Sequence, residues 1–336
     1  MGKRIGKNTV LFETQPSIIS YAAVCGKKEA DGPLGDEFDK IFEDTSLKEP
    51  TWEKAESRLQ KEAVTTALEK TSLHFQNINY IFAGDLLNQC VSSSFGLRRL
   101  GIPFLGQFGA CSTMAQTLFL AATSIEAGIA NYSAAVTSSH FCSSERQFRF
   151  PLQYGGQRTP TAQWTVTGAG AAIISQRNDN DPKIKQATIG KIVDLGIKDI
   201  NNMGAAMAPA ATKTMISFFE DTGTSPDNYD AIFSGDLGQV GSDLLKELLK
   251  KEHITLGSNY RDCGLMMYYK KDQDVHAGAS GCGCSASILC SHILNNIKNG
   301  TWKNILFMAT GALMSPTSSQ QGETIPGVAH LINITA

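Results

Sequence analysis

The sequence predicts an α/β fold built from two similar halves, and three observations predict it. Ile81-Phe82-Ala83-Gly84-Asp85-Leu86 recurs 151 residues later as Ile232-Phe233-Ser234-Gly235-Asp236-Leu237, identical at five of six positions. A repeat near half the chain length marks a duplicated unit. Strand-like and helix-like segments alternate on both sides of it, with strand runs too apolar to face water, as in sheets covered by helices. A small-residue turn opens an apolar helix in each half: Gly109-Ala110-Cys111 in the first and Gly278-Ala279-Ser280-Gly281 in the second.

Composition bounds the class. The 336 residues are 42% hydrophobic and 18% charged, enough apolar content for a sizeable core. A net charge of −2 gives no electrostatic case for binding nucleic acid. No apolar run reaches the ~20 residues that span a bilayer. Met1-Gly2-Lys3-Arg4 is basic, but Ile5 to Val10 is too short and polar for a signal core, so a soluble chain made in the cytosol is expected. The eight cysteines then read as reduced thiols. Cys282-Gly283-Cys284 with Cys290 and His292 lacks the spacing and second pair of a zinc site, so no metal is expected.

In the first half, residues 8 to 24 read as an opening strand and the acidic residues 31 to 50, with Pro33 and Pro50, as a connector. Ala55, Leu59, Ala63 and Ala67 recur every four residues and predict a helix from Trp52 to Glu69. The first repeat strand follows, then a short extended run from Leu100 to Phe108. Leu118, Ala122 and Ile125 stripe a helix that runs from the Cys111 turn to Glu126, with Gly128 as its stop. Ser133 to Thr137 and Thr167 to Ser175 are small-residue strands. Residues 142 to 163, polar, aromatic and rich in Gly and Pro, read as a long functional loop. Residues 178 to 182 form a linker, which divides the chain into halves 1–180 and 181–336.

The second half repeats the order. Ala187 to Leu195 opens it, and a helix around Ala210 to Phe219 precedes the second repeat strand. Ser242 is the expected N-cap of a helix carrying Leu244, Leu245, Leu248 and Leu249. The Gly278–Gly281 turn leads to a helix through Asn296, closed by Gly300. Asn304 to Thr310 and Val328 to Ile332 are the last strands.

Cys111 stands where an apolar helix begins. The unpaired N–H groups and dipole of a helix start favour a thiolate, so a functional thiol is one expectation for it. A small buried thiol is the other, because Cys is among the most buried residue types.

With the Gly-Ala-Cys turn in one half and the Gly-Ala-Ser-Gly turn in the other, the chain resembles the thiolase and ketoacyl-synthase superfamily. The Phe-Ala-Gly-Asp-Leu strand end and the Gly-Ala-Cys-Ser-Thr turn make it resemble more closely the stage V sporulation protein AD family, thiolase-like proteins of endospore formers, over essentially its whole length. The resemblance implies a thiolase-like fold of five layers, αβαβα, with two central helices back to back and a pocket over Cys111.

The same resemblance exposes departures. Where ketoacyl synthases of the initiating type carry a His after the second repeat strand, this chain has Gly235; their Asn falls on Cys282. The His that stands before the Gly-Ala-Ser-Gly turn in thiolases falls on Val275, with His276 one residue out of register. No arrangement supplies a complete catalytic set, and no residue is assigned a catalytic role. His74, His140, His253, His292 and His330 show no spacing that suggests a shared site.

Asp85 and Asp236 end the repeat strands, where ligands gather in open α/β sheets. Asp85 is the stronger candidate, since its strand is expected to abut the Cys111 turn, whereas Gly235 marks the second site as emptied. Arg146, Arg149 and Arg158 lie among Phe148, Phe150, Tyr154 and Trp164. Guanidinium groups grip carboxylates bidentately and aromatic faces stack on flat rings, a set suited to a small aromatic dicarboxylate.

The resemblance implies a non-catalytic protein of sporulation that binds dipicolinic acid (pyridine-2,6-dicarboxylic acid) for uptake into the forespore and release in germination. In that reading Asp85 and Cys111 line the pocket, Cys282 and Gly235 fill space left by lost catalytic groups, and no cofactor is needed. The implied partners are the SpoVA membrane proteins at the spore inner membrane and a second copy in a homodimer. The alternative is an acyltransferase taking coenzyme A or carrier-protein thioesters, with Cys111 as nucleophile, His276 as base, and Lys27-Lys28 or Arg98-Arg99 for the coenzyme's phosphates. A third reading is a purely structural subunit of a membrane complex.

Overall fold

The computed structural model describes residues 2–148 and 158–336. Five principal strands come from the first half: β1 (Ser17–Gly26), β2 (Tyr80–Gly84), β3 (Phe104–Gln107), β4 (Tyr132–Ser139) and β5 (Gly168–Ser175). Five come from the second: β6 (Lys183–Ile189), β7 (Ala231–Ser234), β8 (Tyr260–Asp262), β9 (Asn304–Ala312) and β10 (Gly327–Thr335). The spatial orders are β3-β2-β4-β5-β1 and β8-β7-β9-β10-β6, the same permutation of chain order twice. The orientations also match. β2 is parallel to β3 and β4, as β7 is to β8 and β9, while β5 and β10 run antiparallel to their neighbours. The two sheets touch where Lys183 of β6 pairs with Ser17 of β1.

The helices that cover and separate the sheets are α1 (Trp52–Glu69), α2 (Val91–Leu97), α3 (Thr113–Glu126), α4 (Phe141–Phe148), α5 (Met203–Thr222), α6 (Gly238–Lys251) and α7 (Cys282–Ile288), the last continuing through a π-helical turn (Leu289–Ile293) into α8 (Leu294–Lys298). Three apolar cores define five layers. Ala55, Leu59, Ala63 and Ala67 of α1 pack on the outer face of the first sheet. Met215, Phe218 and Leu245 of α5 and α6 cover the outer face of the second. Between the sheets, Met114, Leu118 and Ile125 of α3 share one core with Ala286 and Ile288 of α7.

Small residues in β5 set the height of the central layer. A Cβ at Gly170 would stand 2.3 Å from the carbonyl oxygen of Ala286, so only glycine lets α7 lie this close to the strand. This is the packing reason for the Gly168–Gly170 run.

Three local expectations are corrected. Residues 142 to 163 are not loop throughout, because α4 occupies their start. Its first turn is tied by the Cys142 N–H donating to His140 Nδ1 at 3.1 Å and the Ser144 N–H to the His140 carbonyl at 3.1 Å. Ser242 is not an N-cap: it lies inside α6, buried, where its hydroxyl accepts from Tyr260 at 3.2 Å. The helix around Ala210 to Phe219 begins seven residues earlier, where the Asn202 side chain accepts from the Ala205 N–H.

Candidate functional site

The Cys111 turn is shaped by backbone. Ala110 takes φ +48°, a left-handed conformation rare for an L side chain. The turn is held by the Ser112 N–H donating to the Gly109 carbonyl (3.0 Å) and the Gly109 N–H donating to Thr113 Oγ1 (3.1 Å). Gly311, near the end of β9, faces it: a Cβ there would reach 2.4 Å from the Gly109 oxygen. The second sheet thus abuts the thiol turn of the first half.

Cys111 is buried, and its Sγ lies 3.9 Å from Ser280 Oγ in the second-half turn. Asp236 organises that turn. Its carboxylate accepts from the Ser280 hydroxyl (3.1 Å), the Gly281 N–H (2.8 Å) and the Thr310 hydroxyl (3.0 Å). Burial pushes the Asp236 carboxyl up to about 6, partly offset by these donors. Burial, and then the Asp236 carboxyl, pushes the Cys111 thiol well up. The expected helix-start activation does not operate, because Cys111 precedes α3 by two residues and faces a carboxyl instead. Asp236, ranked below Asp85 from sequence, is the repeat aspartate that belongs to the site.

Above this floor lies a cavity enclosing about 640 Å³, its open mouth included. Cys111, Ala110 and Phe108 line it from the first half, with Ser144 and Phe148 of α4; Ser280, Asn201 and Met203 line it from the second. Gln163 and Thr165 form part of its wall, and Gln163 Nε2 ties that wall down by donating to the carbonyls of Asp236 (2.7 Å) and Ala279 (2.6 Å). Ser144 is almost fully buried, yet its hydroxyl has no partner among the described residues. Ser144 and Gln163 fall within the segment 142–163 that the sequence marks as functional, though neither is singled out there; nothing in the sequence marks Asn201, and Ser280 stands within the quoted turn.

The other expected site residues are distributed as follows. Cys282 does not line the cavity; it lies beneath, in a small apolar cluster with Leu86 and Cys111, its thiol donating to the Ser138 carbonyl at 2.9 Å. Gly235 sits in a tightly packed position. A Cβ there would meet Ala309 Cα at 3.1 Å and Thr310 N at 3.2 Å. Asp85 faces inward: it accepts from the Leu87 N–H (2.9 Å) and from the Ser93 N–H and hydroxyl (2.8 and 2.6 Å), and only its neighbour Leu86 reaches the cavity.

Arg146 pairs with Glu53 on the surface rather than with the cavity. Arg158 lies over the Trp164 ring at 4.6 Å and pairs with Asp274 at 3.1 Å, so the aromatic it stacks on is the protein's own. Lys28 also sits over Trp164, 3.8 Å from the ring centre. Trp164 lies between Gln163 and Thr165 but outside the cavity lining, as the alternation of an extended segment requires. Arg149, Phe150 and Tyr154 lie outside the described residues. His276, with φ +50°, has its Nε2 3.3 Å from Asp274 Oδ1 and does not line the cavity. Among the described residues no group of three or more His, Cys, Asp or Glu side chains could hold a metal ion.

The family profile of stage V sporulation protein AD matches residues 6–335. Stage V sporulation protein AD of Bacillus subtilis (strain 168) is 46% identical over 328 residues, covering 98% of this chain and 96% of that protein. Among solved structures, a variant of OleA from Xanthomonas campestris superposes with a TM-score of 0.62 at 14% identity, covering 97% of this chain and 99% of its own. The 3-oxoacyl-[acyl-carrier-protein] synthase III from Aquifex aeolicus VF5 gives 0.57 at 13% identity, covering 96% and 100%. At such identities these two share the thiolase-like fold and nothing further is carried over from them.

Proposed function

This chain belongs to the stage V sporulation protein AD family, and on that basis we propose that it is a non-catalytic small-molecule-binding protein of sporulation with dipicolinic acid as its ligand. The observation that carries the non-catalytic reading is at Gly235. A Cβ there would already press on the backbone of Ala309 (3.1 Å) and Thr310 (3.2 Å), and no histidine of the described residues lines the cavity over Cys111. A condensing enzyme needs a thiolate with a positioned base. Here the thiol is held protonated beside a carboxyl, and His276 is engaged elsewhere. The alternative, acyl transfer from a coenzyme A thioester through Cys111, is disfavoured by the same geometry.

What supports a small flat ligand is the cavity itself. Phe108, Phe148 and Met203 offer apolar faces, Ser144, Thr165, Ser280 and Asn201 offer hydrogen bonds, and Glu145 adds a carboxyl to the wall. The proposal includes a peripheral position at the spore inner membrane, held by the SpoVA membrane proteins, since no helix among the described residues is long and apolar enough to cross a membrane. It also includes a homodimer through β3, an edge strand whose Phe104 and Leu105 are exposed.

Isothermal titration calorimetry of dipicolinate tests the ligand. Saturable binding that weakens in Ser144→Ala and Cys111→Ala is expected. No heat, or heat indifferent to both substitutions, overturns the site assignment.

A further inference from the structure

We propose that the groove between α1 and α2 docks an acidic segment of a partner protein. Lys54, Arg58 and Lys61 recur along one face of α1 at helical spacing, and Arg98 and Arg99 follow the end of α2. The groove encloses about 1080 Å³, its open mouth included, with Phe95 on its wall and Glu49 and Glu62 at its margin. Its floor is backbone: a Cβ at Gly96 would stand 2.4 Å from the Ser57 carbonyl oxygen, so the glycine lets the two helices close beneath the charges.

The charges are unevenly matched. Arg58 uses the margin acids, lying 3.7 Å from Glu62 and 3.9 Å from Glu49, and donates to the Leu47 carbonyl at 2.7 Å. Glu62 is also paired with Lys40 at 2.5 Å. Lys54, Lys61 and Arg99 have no ion-pair partner among the described residues. The Arg98 guanidinium lies 4.8 Å over the Phe95 ring, which is 54% exposed. A chain with net charge −2 thus concentrates unpaired positive charge around one open aromatic ring.

Arginine and exposed aromatic side chains are the types enriched at binding hot spots, and a basic concavity selects an acidic partner and speeds its encounter. The concave shape favours a polypeptide over a bilayer, whose flat surface would meet only the rim. The inference does not depend on the ligand in the cavity over Cys111, which lies apart from this groove and shares no lining residue with it.

The test is fluorescence anisotropy with a labelled peptide of Glu, Asp and Phe, against the same peptide with Gln and Asn for its acids. Sedimentation with phosphatidylglycerol vesicles forms a second arm. Expected are binding of the acidic peptide only, weakening as salt rises, and a loss of about tenfold in each of two variants, R98E/R99E and K54E/K61E. Thermal melting checks that both variants fold. Equal binding of the two peptides, no binding at low salt, or affinity unchanged in both variants overturns the proposal. Vesicle binding through the same residues without peptide binding also overturns it, in favour of a lipid surface.

Discussion

Cys111 of the first half and Ser280 of the second meet on the cavity floor with Sγ and Oγ 3.9 Å apart, and Ser280 in turn donates to Asp236 at 3.1 Å. The thiol therefore belongs to a hydrogen-bonded group whose only charged member is negative. A neighbouring carboxylate disfavours thiolate, so Cys111 should resist alkylation at neutral pH. Peptide-mapped iodoacetamide labelling against pH is expected to place its reactivity above the ordinary thiol pKa of about 8.5. Asp236→Asn should raise the labelling rate by removing the opposing charge; an Asn variant that labels more slowly contradicts this arrangement.

Restoring the missing histidine should not restore chemistry. Gly235→His places its Cβ 3.1 Å from Ala309 Cα and 3.2 Å from Thr310 N, so overpacking of about 1–3 kcal/mol is expected. Denaturant unfolding measures it. A variant as stable as the parent would mean that the slot is open.

The sequence made the duplicated architecture legible because the repeat, the two glycine turns and the helical periodicities each obey local rules. The repeated hexapeptides became β2 and β7, the equivalent strands of two identically ordered sheets. The site was less legible. Asp85 and Asp236 close nearly identical hexapeptides, the chain context ranks Asp85 first, and only tertiary packing turns Asp85 toward Ser93 and Asp236 toward the thiol. Arg158 and Trp164, read along the chain as groups for a ligand's carboxylate and ring, stack on each other instead. Ser144 lies in a segment marked as functional but is not itself singled out, because its significance is a hydroxyl without a partner among the described residues, a property of its surroundings.

Buried carboxyls make stability depend on pH. Burial, and then the neighbouring Asp85, pushes Glu56 up to about 8, while Asp262 and Asp236 are raised to about 7 and about 6. Unfolded carboxyls titrate near 4. The folded state therefore holds extra protons between these values, and stability is full below the unfolded pKa and falls as pH rises through the folded ones. Glu56→Gln should flatten the profile across the interval between the unfolded carboxyl range and about pH 8, and remove most of the slope that remains above about pH 7. Melting temperatures across pH check it; an unchanged profile would mean Glu56 is ionised in the fold.

Ser144 separates binding from folding. Its hydroxyl is buried without a partner among the described residues, so Ser144→Ala should leave stability unchanged or raise it by about 1 kcal/mol. Ligand affinity should fall in the same variant. Loss of both stability and affinity would show the residue to be structural only.

The edge strand β3 gives the homodimer a direct check. Phe104 and Leu105, 39% and 46% exposed, are expected to be covered by a second copy. Analytical ultracentrifugation should show a dimer, and F104D/L105K should shift it to monomer. A monomeric parent chain contradicts the proposed interface.

Intact-mass spectrometry after incubation with acyl-coenzyme A tests most directly the claim that a condensing-enzyme scaffold here binds without reacting. The account expects the mass of the unmodified chain at every time and pH where the protein is folded. An acyl adduct that maps to Cys111 and disappears in Cys111→Ala would contradict it.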